Sequence, residues 1–218
     1  GDALPAIDLG TSRTAVSIAG GRYHLCAILD NGDLKCWGHN GAGGLGQFYP
    51  ENIGDNPNEM GDNLPAVNLG PDRTAVSVSC GEYFTCALLD DGSVKCFGKN
   101  HVGQLGQGST SATLSSPVAN IDPIDLGTGR SAVSISCGLG HACTLLDDGS
   151  VKCWGADGDG RSGYEGTKTN RGDELNEMGD SLPAVNLGSG RTAVSVSAGQ
   201  AHTCAHLDNG MVKCWGRA

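Results

Sequence analysis

Residues 86–98 read CALLDDGSVKCFG, and close copies stand at 26–38 (CAILDNGDLKCWG), 143–155 (CTLLDDGSVKCWG) and 204–216 (CAHLDNGMVKCWG). Apolar runs flank an Asp-Asp-Gly or Asp-Asn-Gly turn in each copy, the signature of a β-hairpin. The loop can hold two residues or three. With two (Asn31 and Gly32), Cys26 faces Trp37 and Cys36 projects from the other face. With three (Asp30, Asn31, Gly32), the glycine takes the left-handed position of a bulge. Cys26 then lies opposite Cys36 on a non-hydrogen-bonded pair, where side chains approach most closely. Only the second register allows a disulfide. The same spacing pairs Cys86 with Cys96, Cys143 with Cys153, and Cys204 with Cys214. Two facing positions filled by cysteine in all four copies favour disulfides over buried free thiols. Separated hairpins do not bring several thiolates to one point, as zinc requires. Each bridge closes a short loop, worth about 3 kcal/mol in the chain-entropy account. This density predicts an oxidising compartment, so the protein is expected to be extracellular or at the cell surface.

Working outward, each hairpin follows R-[TS]-A-V-S-[IV]-[AS], which begins at Arg13, Arg73, Arg130 and Arg191, spaced by 60, 57 and 61 residues. A G-x-x-[HF] element joins the two pieces. An LPAVNLG-like piece recurs at 4–10, 64–70, more loosely at 123–127, and at 182–188. Internal repetition on this scale decides the architecture. The period inside each copy is two, the strand signature: Ala-Val-Ser-Val-Ser alternates small polar with β-branched residues. The LPAVNL piece makes a fourth short strand, with proline at its start where no ladder donor is needed. Four short strands per unit, punctuated by glycine, predict an all-β chain of propeller blades. Residues 1–218 form one array, with repeat cores near 13–38, 73–98, 130–155 and 191–216. Variable insertions fall at 39–62, 99–116 and 156–181.

The motif G-x-x-H-x-C-A-x-L-D-x-G-x-V-K-C-W-G followed by N-x-x-G-Q-L-G, best matched by residues 86–106, resembles the repeat of the RCC1 (regulator of chromosome condensation) family, in an extracellular, disulfide-containing type. The resemblance spans nearly the whole chain. It implies a β-propeller with one four-stranded blade per repeat, usually about seven in a ring. Phe84 replaces the motif His, Phe97 replaces the Trp, and residues 157–160 (DGDG) replace most of N-x-x-G-Q-L-G. Four repeats belong to a longer ring, combine with identical chains, or stay open. Residues 4–9 carry the fourth-strand sequence and are expected to pair with a terminal-repeat hairpin, of this chain or another, because a bare strand edge invites aggregation. The resemblance also places the Ala-Val-Ser strand innermost. Cys80 and Cys137, at one position of adjacent repeats, then lie beside the central channel, either as an inter-blade disulfide or as two free buried thiols. The founding member promotes nucleotide exchange on a small GTPase; no residue here matches that activity.

Composition narrows the partners. Lys and Arg number 14 against 24 Asp and Glu, giving a net charge of −10. Eight of those basic residues are locked into the repeat: Arg13, Arg73, Arg130, Arg191, Lys35, Lys95, Lys152 and Lys213. Too few remain to neutralise a phosphate backbone, so nucleic acid is excluded. No apolar run approaches the ~18 residues of a spanning helix, which argues against membrane insertion. No signal peptide opens the chain, and the start at Gly1 reads as that of a mature or excised segment.

No catalytic motif is present: neither G-x-S-x-G, nor H-E-x-x-H, nor a phosphate loop. His24, His141 and His202 recur at one site that also accepts Phe84, which marks a packing position. His39, His101 and His206 carry no ligand spacing. Binding is expected on the insertions, since function concentrates on loops over a rigid scaffold. The candidates are Phe48, Tyr49, Asn52, Asp55 and Asn58 in the first insertion, and Arg171, Asp173 and Glu174 in the third. No cofactor is implied. Calcium is the weak exception, because hard oxygen ligands gather in glycine-rich loops, yet neither insertion fits the EF-hand pattern. Arg171-Gly172-Asp173 matches an integrin-type tripeptide by coincidence, and residues 109–116 offer a Ser/Thr patch for O-glycosylation. The expected function is a non-enzymatic secreted or surface module that binds protein or glycan. The alternatives are a structural subunit that assembles with copies of itself, and an enzyme-inhibitor propeller.

Overall fold

A computed structural model describes residues 3–47, 51–112, 117–166 and 169–217. The described residues form four antiparallel sheets of three strands each, with sequential strand order in every sheet. Blade 1 is β1 (Ala15–Gly20), β2 (His24–Leu29) and β3 (Leu34–Gly38). Blade 2 is β4 (Ala75–Cys80), β5 (Phe84–Leu89) and β6 (Val94–Gly98). Blade 3 is β7 (Ala132–Cys137), β8 (His141–Leu146) and β9 (Val151–Gly155), and blade 4 is β10 (Ala193–Ala198), β11 (His202–Leu207) and β12 (Val212–Gly216). The chain is all-β, and no described helix is long and apolar enough to cross a membrane.

The hairpins take the three-residue loop. Leu29 N–H donates to Asp33 O at 2.8 Å, Gly32 N–H to Leu29 O at 2.9 Å, and Gly32 has φ +82°, which glycine adopts without strain. Cys26 therefore faces Cys36, with Cα atoms 4.1 Å apart, and the two are joined. The other three predicted disulfides are also present.

The blades stack face to face. Even-numbered side chains of blade 1 (Cys26, Ile28, Leu34, Cys36) meet Val67 and Leu69 of the segment that follows the blade, and Val78, Ala87, Leu89 and Phe97 of blade 2. Equivalent clusters join blades 2 and 3 and blades 3 and 4. Every residue of β5 and β8 is buried, because both of their faces are covered. In β11 burial alternates, because one face of blade 4 is open. The inner strands converge on a cavity of about 510 Å³ lined by Gly20, Cys80, Cys137 and Ala198.

One expectation needs correction, and two left with alternatives are narrowed. The LPAVNL piece is not a strand: it meets the preceding hairpin through one backbone bond, Val67 N–H to Leu34 O at 2.7 Å, Ile124 to Val94 at 2.8 Å, or Val185 to Val151 at 2.8 Å. Proline removes a donor, and a buried lysine takes the nearby carbonyls instead. Lys35 Nζ donates to Leu9 O (2.8 Å) and Gly61 O (2.9 Å), and Lys152 Nζ to Leu126 O (3.0 Å) and Gly179 O (2.8 Å). The blades are therefore three-stranded sheets with a flanking segment. Of the two alternatives for Cys80 and Cys137, the structure shows the second: both are free and buried. They fall in different inter-blade clusters, Cys80 between blades 1 and 2 and Cys137 between blades 2 and 3, so no bridge joins them. Of the partners expected for residues 4–9, the hairpin of the chain's own blade 4 is not the one: Leu4 is 82% and Ile7 54% exposed. The alternation in A-V-S-[IV]-S is also broken by a register shift at the start of each inner strand, which leaves Val16, Val76, Val133 and Val194 exposed.

Candidate functional site

The repeat-locked arginines pair with hairpin-loop aspartates of their own blade, as in Arg73 to Asp90 (3.1 Å) and Arg191 to Asp208 (3.3 Å). With Lys35, Lys95 and Lys152 buried on backbone carbonyls, these cations serve the scaffold; Lys213, on the open face of blade 4, is exposed.

The first and third insertions share a fold of their own. Glu59 Oε2 accepts the backbone N–H groups of Gly54, Asp55 and Asn56 at 2.8, 3.1 and 3.0 Å. Glu177 Oε2 likewise accepts those of Gly172, Asp173 and Glu174 at 2.9, 3.1 and 3.0 Å. These bonds, those from Asn56 first, hold the Glu59 carboxyl below its ordinary range. Asp62 and Asp180 then accept both the N–H and the hydroxyl of Thr11 and Thr128, which lowers their pKa values as well. The shared N-E-M-G-D ending thus latches each insertion to its own blade. Among the sequence-derived candidates, Asn52 Oδ1 accepts from Asn40 N–H at 3.1 Å, and Asn58 adopts φ +67° inside the first latch. Asp55, Asp173 and Glu174 give their backbone amides to the two latches. Arg171 bridges to Gly155, and its guanidinium sits 5.7 Å over the Tyr164 ring. Phe48, Tyr49 and part of the Ser/Thr patch (113–116) lie outside the described residues.

Metal ligation does not fit. Among the described residues, the one group of three His, Cys, Asp or Glu close enough to share an ion is His24, Cys26 and Cys80. Cys26 is consumed in a disulfide there, and burial pushes the Cys80 thiol up to about 12, so the donors are not thiolates.

The structure instead brings together residues that sequence reasoning passed over. The two unassigned positions of G-x-x-[HF] are Arg22-Tyr23 in blade 1 and Glu82-Tyr83 in blade 2. Stacking the blades places Tyr23 on Tyr83, ring centroids 4.7 Å apart and planes 18° from parallel. His39 packs edge-on against Tyr83 at 5.3 Å. Arg22 lies over Tyr23 and Lys99 over Tyr83, each at 5.1 Å. Glu82 ties the two cations together, at 2.7 Å to Arg22 and 3.4 Å to Lys99. The Tyr83 hydroxyl is held above its ordinary pKa, first by its hydrogen bond with Tyr23. A shallow pocket of about 410 Å³ beside this platform is lined by His39, Tyr83, Lys99 and His101 among others. Two tyrosines, two cations and two histidines thus cluster on the surface of a chain whose net charge is −10. The one sequence signal was an aromatic at the same unassigned position in two adjacent copies.

Comparison with known proteins agrees with this architecture. Models described as the regulator of chromosome condensation (RCC1) repeat match residues 15–43, 75–104, 132–161 and 193–217, and a second such model matches 91–145. The mitochondrial RCC1 domain-containing protein RUG3 of Arabidopsis thaliana is 28% identical over 93% of this chain and 42% of its own length. The structure of human WBSCR16 superposes with a TM-score of 0.75 at 21% identity, over 96% of this chain and 50% of that one. Yeast RCC1 (Prp20), solved bound to Kap60, gives 0.68 at 19% identity, over 94% and 42%. The chain thus spans half or less of the length of these proteins.

Proposed function

The chain belongs to the regulator of chromosome condensation (RCC1) repeat family, and from that premise we propose that it is a non-enzymatic, extracellular or cell-surface module that binds a protein through the Tyr23–Tyr83 platform. The observation that carries the reading is the stacked, cation-flanked tyrosine pair on the surface across blades 1 and 2. Tyr and Arg are the residues most enriched at the energetic centres of protein interfaces, where rigid rings supply area at low entropic cost. A protein partner fits better than a glycan. The ring faces are already engaged by each other and by Arg22 and Lys99, which leaves edges, hydroxyls and charge to present. Locally basic character on an acidic chain favours an acidic partner surface and a salt-sensitive association rate. The extracellular assignment rests on four disulfides, which persist in oxidising compartments.

The test is comparative capture from the extracellular fluid of the source organism. It uses the full chain, Tyr23→Ala/Tyr83→Ala, and Asp55→Ala/Asp173→Ala as the insertion control. The tyrosine variant is expected to keep its unfolding midpoint and lose at least about tenfold of one captured protein, while the control keeps it. Capture that follows the insertion variant instead would move the contact surface to the loops.

A further inference from the structure

Side chains that cross the blade interfaces come in two matched sets. Between blades 1 and 2, buried His24 Nε2 meets Thr85 Oγ1 at 2.7 Å; between blades 3 and 4, buried His141 Nε2 meets Thr203 Oγ1 at 2.9 Å. Each threonine donates its one proton onward, to Gly44 O at 2.7 Å and to Arg161 O at 2.9 Å. Its oxygen therefore accepts from the imidazole, which fixes the ring proton on Nε2. Between blades 2 and 3 both partners change together. Phe84 stands at the histidine position and Ala142 at the threonine position, both fully buried in one apolar cluster. Gln104 O, which there meets no threonine, accepts the indole N–H of Trp154 at 3.1 Å. A histidine on the trailing face of one blade thus goes with a threonine on the leading face of the next, and an apolar residue goes with an apolar residue.

Among the described residues two faces have no neighbouring blade, although Ala27, Leu29 and Trp37 on the leading face of blade 1 are covered by Leu64, Leu9, Ile53 and Met60. The leading face of blade 1 shows Leu25 at the threonine position, 38% exposed, beside Ile18 at 63% and Ile7 at 54%. The counterparts of Ile7, namely Val67, Ile124 and Val185, are only 5–7% exposed because each lies on a preceding blade. The trailing face of blade 4 shows exposed His202 and Val212. If a second copy docked head to tail, the His202 imidazole would be buried against Leu25, an N–H facing a side chain with no acceptor. A buried donor without a partner is costly, so this mismatch selects against the copy.

Resting on the family assignment, we infer that the leading face of blade 1 is a docking surface for a further RCC1-type blade that carries an apolar residue at the histidine position, and that it rejects a second copy of this chain. That blade supplies a carbonyl for Ile7 N–H, as Leu34 does for Val67, and an apolar side chain for Leu25.

Sedimentation of the full, oxidised chain over a range of concentrations tests the rule. Wild type is expected to show the weakest head-to-tail association. Leu25→Thr, which completes the histidine–threonine match with His202, tightens it by about tenfold, the factor for one net hydrogen bond. Adding His202→Leu to Leu25→Thr removes the gain. Wild-type self-association as strong as that of Leu25→Thr would overturn the inference, as would equal behaviour of Leu25→Thr and the double variant. Thr203→Leu sets the same mismatch inside the chain, so it tests the rule even if Leu25→Thr does not fold. It lowers the unfolding midpoint, and His141→Phe in the same chain restores much of the loss; failure of that restoration also overturns the rule. Loss of the tyrosine platform changes none of these readouts, which separates this inference from the proposed function.

Discussion

Replacing Thr85 by valine removes one hydroxyl and nearly conserves volume, so its effect isolates the hydrogen bonds of that oxygen. Two buried groups lose their partner, His24 Nε2 and Gly44 O, each 2.7 Å away. An orphaned buried donor or acceptor costs about 1–3 kcal/mol, so Thr85→Val is expected to destabilise by about 2–6 kcal/mol. Thr203→Val is the internal control. Arg161 O keeps a second donor, the Trp215 indole at 2.9 Å, so only His141 is orphaned and the expected loss is about 1–3 kcal/mol. Blade 2 has no such reserve, because Phe97 stands where the other copies carry tryptophan. The assay is guanidinium unfolding at neutral pH without reductant, with each midpoint compared to wild type. A third arm, His24→Phe/Thr85→Ala, copies the Phe84/Ala142 pair and is expected to recover the histidine share, about half of the loss, because Gly44 O stays without the indole donor that Gln104 O has in Trp154. A Thr85→Val midpoint within about 0.5 kcal/mol of wild type, or a larger loss for Thr203→Val, would refute the reasoning.

Reduction is expected to lower the melting temperature strongly, since each bridge closes a short loop worth about 3 kcal/mol; unchanged melting in excess reductant counts against the staples. Stability is expected to fall on acidification through pH 6.5 to 4. Burial drops the pKa of His24 and His141 to about 4, so the unfolded chain binds protons first. That stability is complete above pH 6.5, and each histidine accounts for about 3 kcal/mol of it, lost as the pH falls to about 4; a flat profile of midpoint against pH over that window would contradict it. Glu59→Gln is expected to open residues 54–56 to proteolysis and to hydrogen exchange while leaving the blades folded, because its carboxylate gathers three backbone amides; global unfolding would show the latch to be part of the core.

The hairpins were legible because their determinants are local. An Asp-Asn-Gly loop, a glycine able to take φ +82° and a fixed cysteine spacing leave one register that closes a disulfide. The flanking segment was misread as a strand because its apolar alternation is real: Val67 and Leu69 do face the core. The carbonyls of Leu9 and Leu126, in the equivalent segments, are however taken by Lys35 and Lys152 from the following blade, which pattern alone does not show. In sequence the insertions read as variable binding loops, and only the folded backbone reveals that Glu59 and Glu177 turn onto the loops' own amides. The tyrosine platform escaped because Tyr23 and Tyr83 are 60 residues apart and meet only when blades stack.

Hydrogen exchange on the full chain, free and with its captured protein partner, tests the central claim most directly. The account predicts slowed exchange over residues 21–24, 39–42, 81–84 and 99–103, the segments that carry the platform, with no change over 54–60 and 172–178. Protection confined to those two insertions, with the platform segments unaltered, would contradict it.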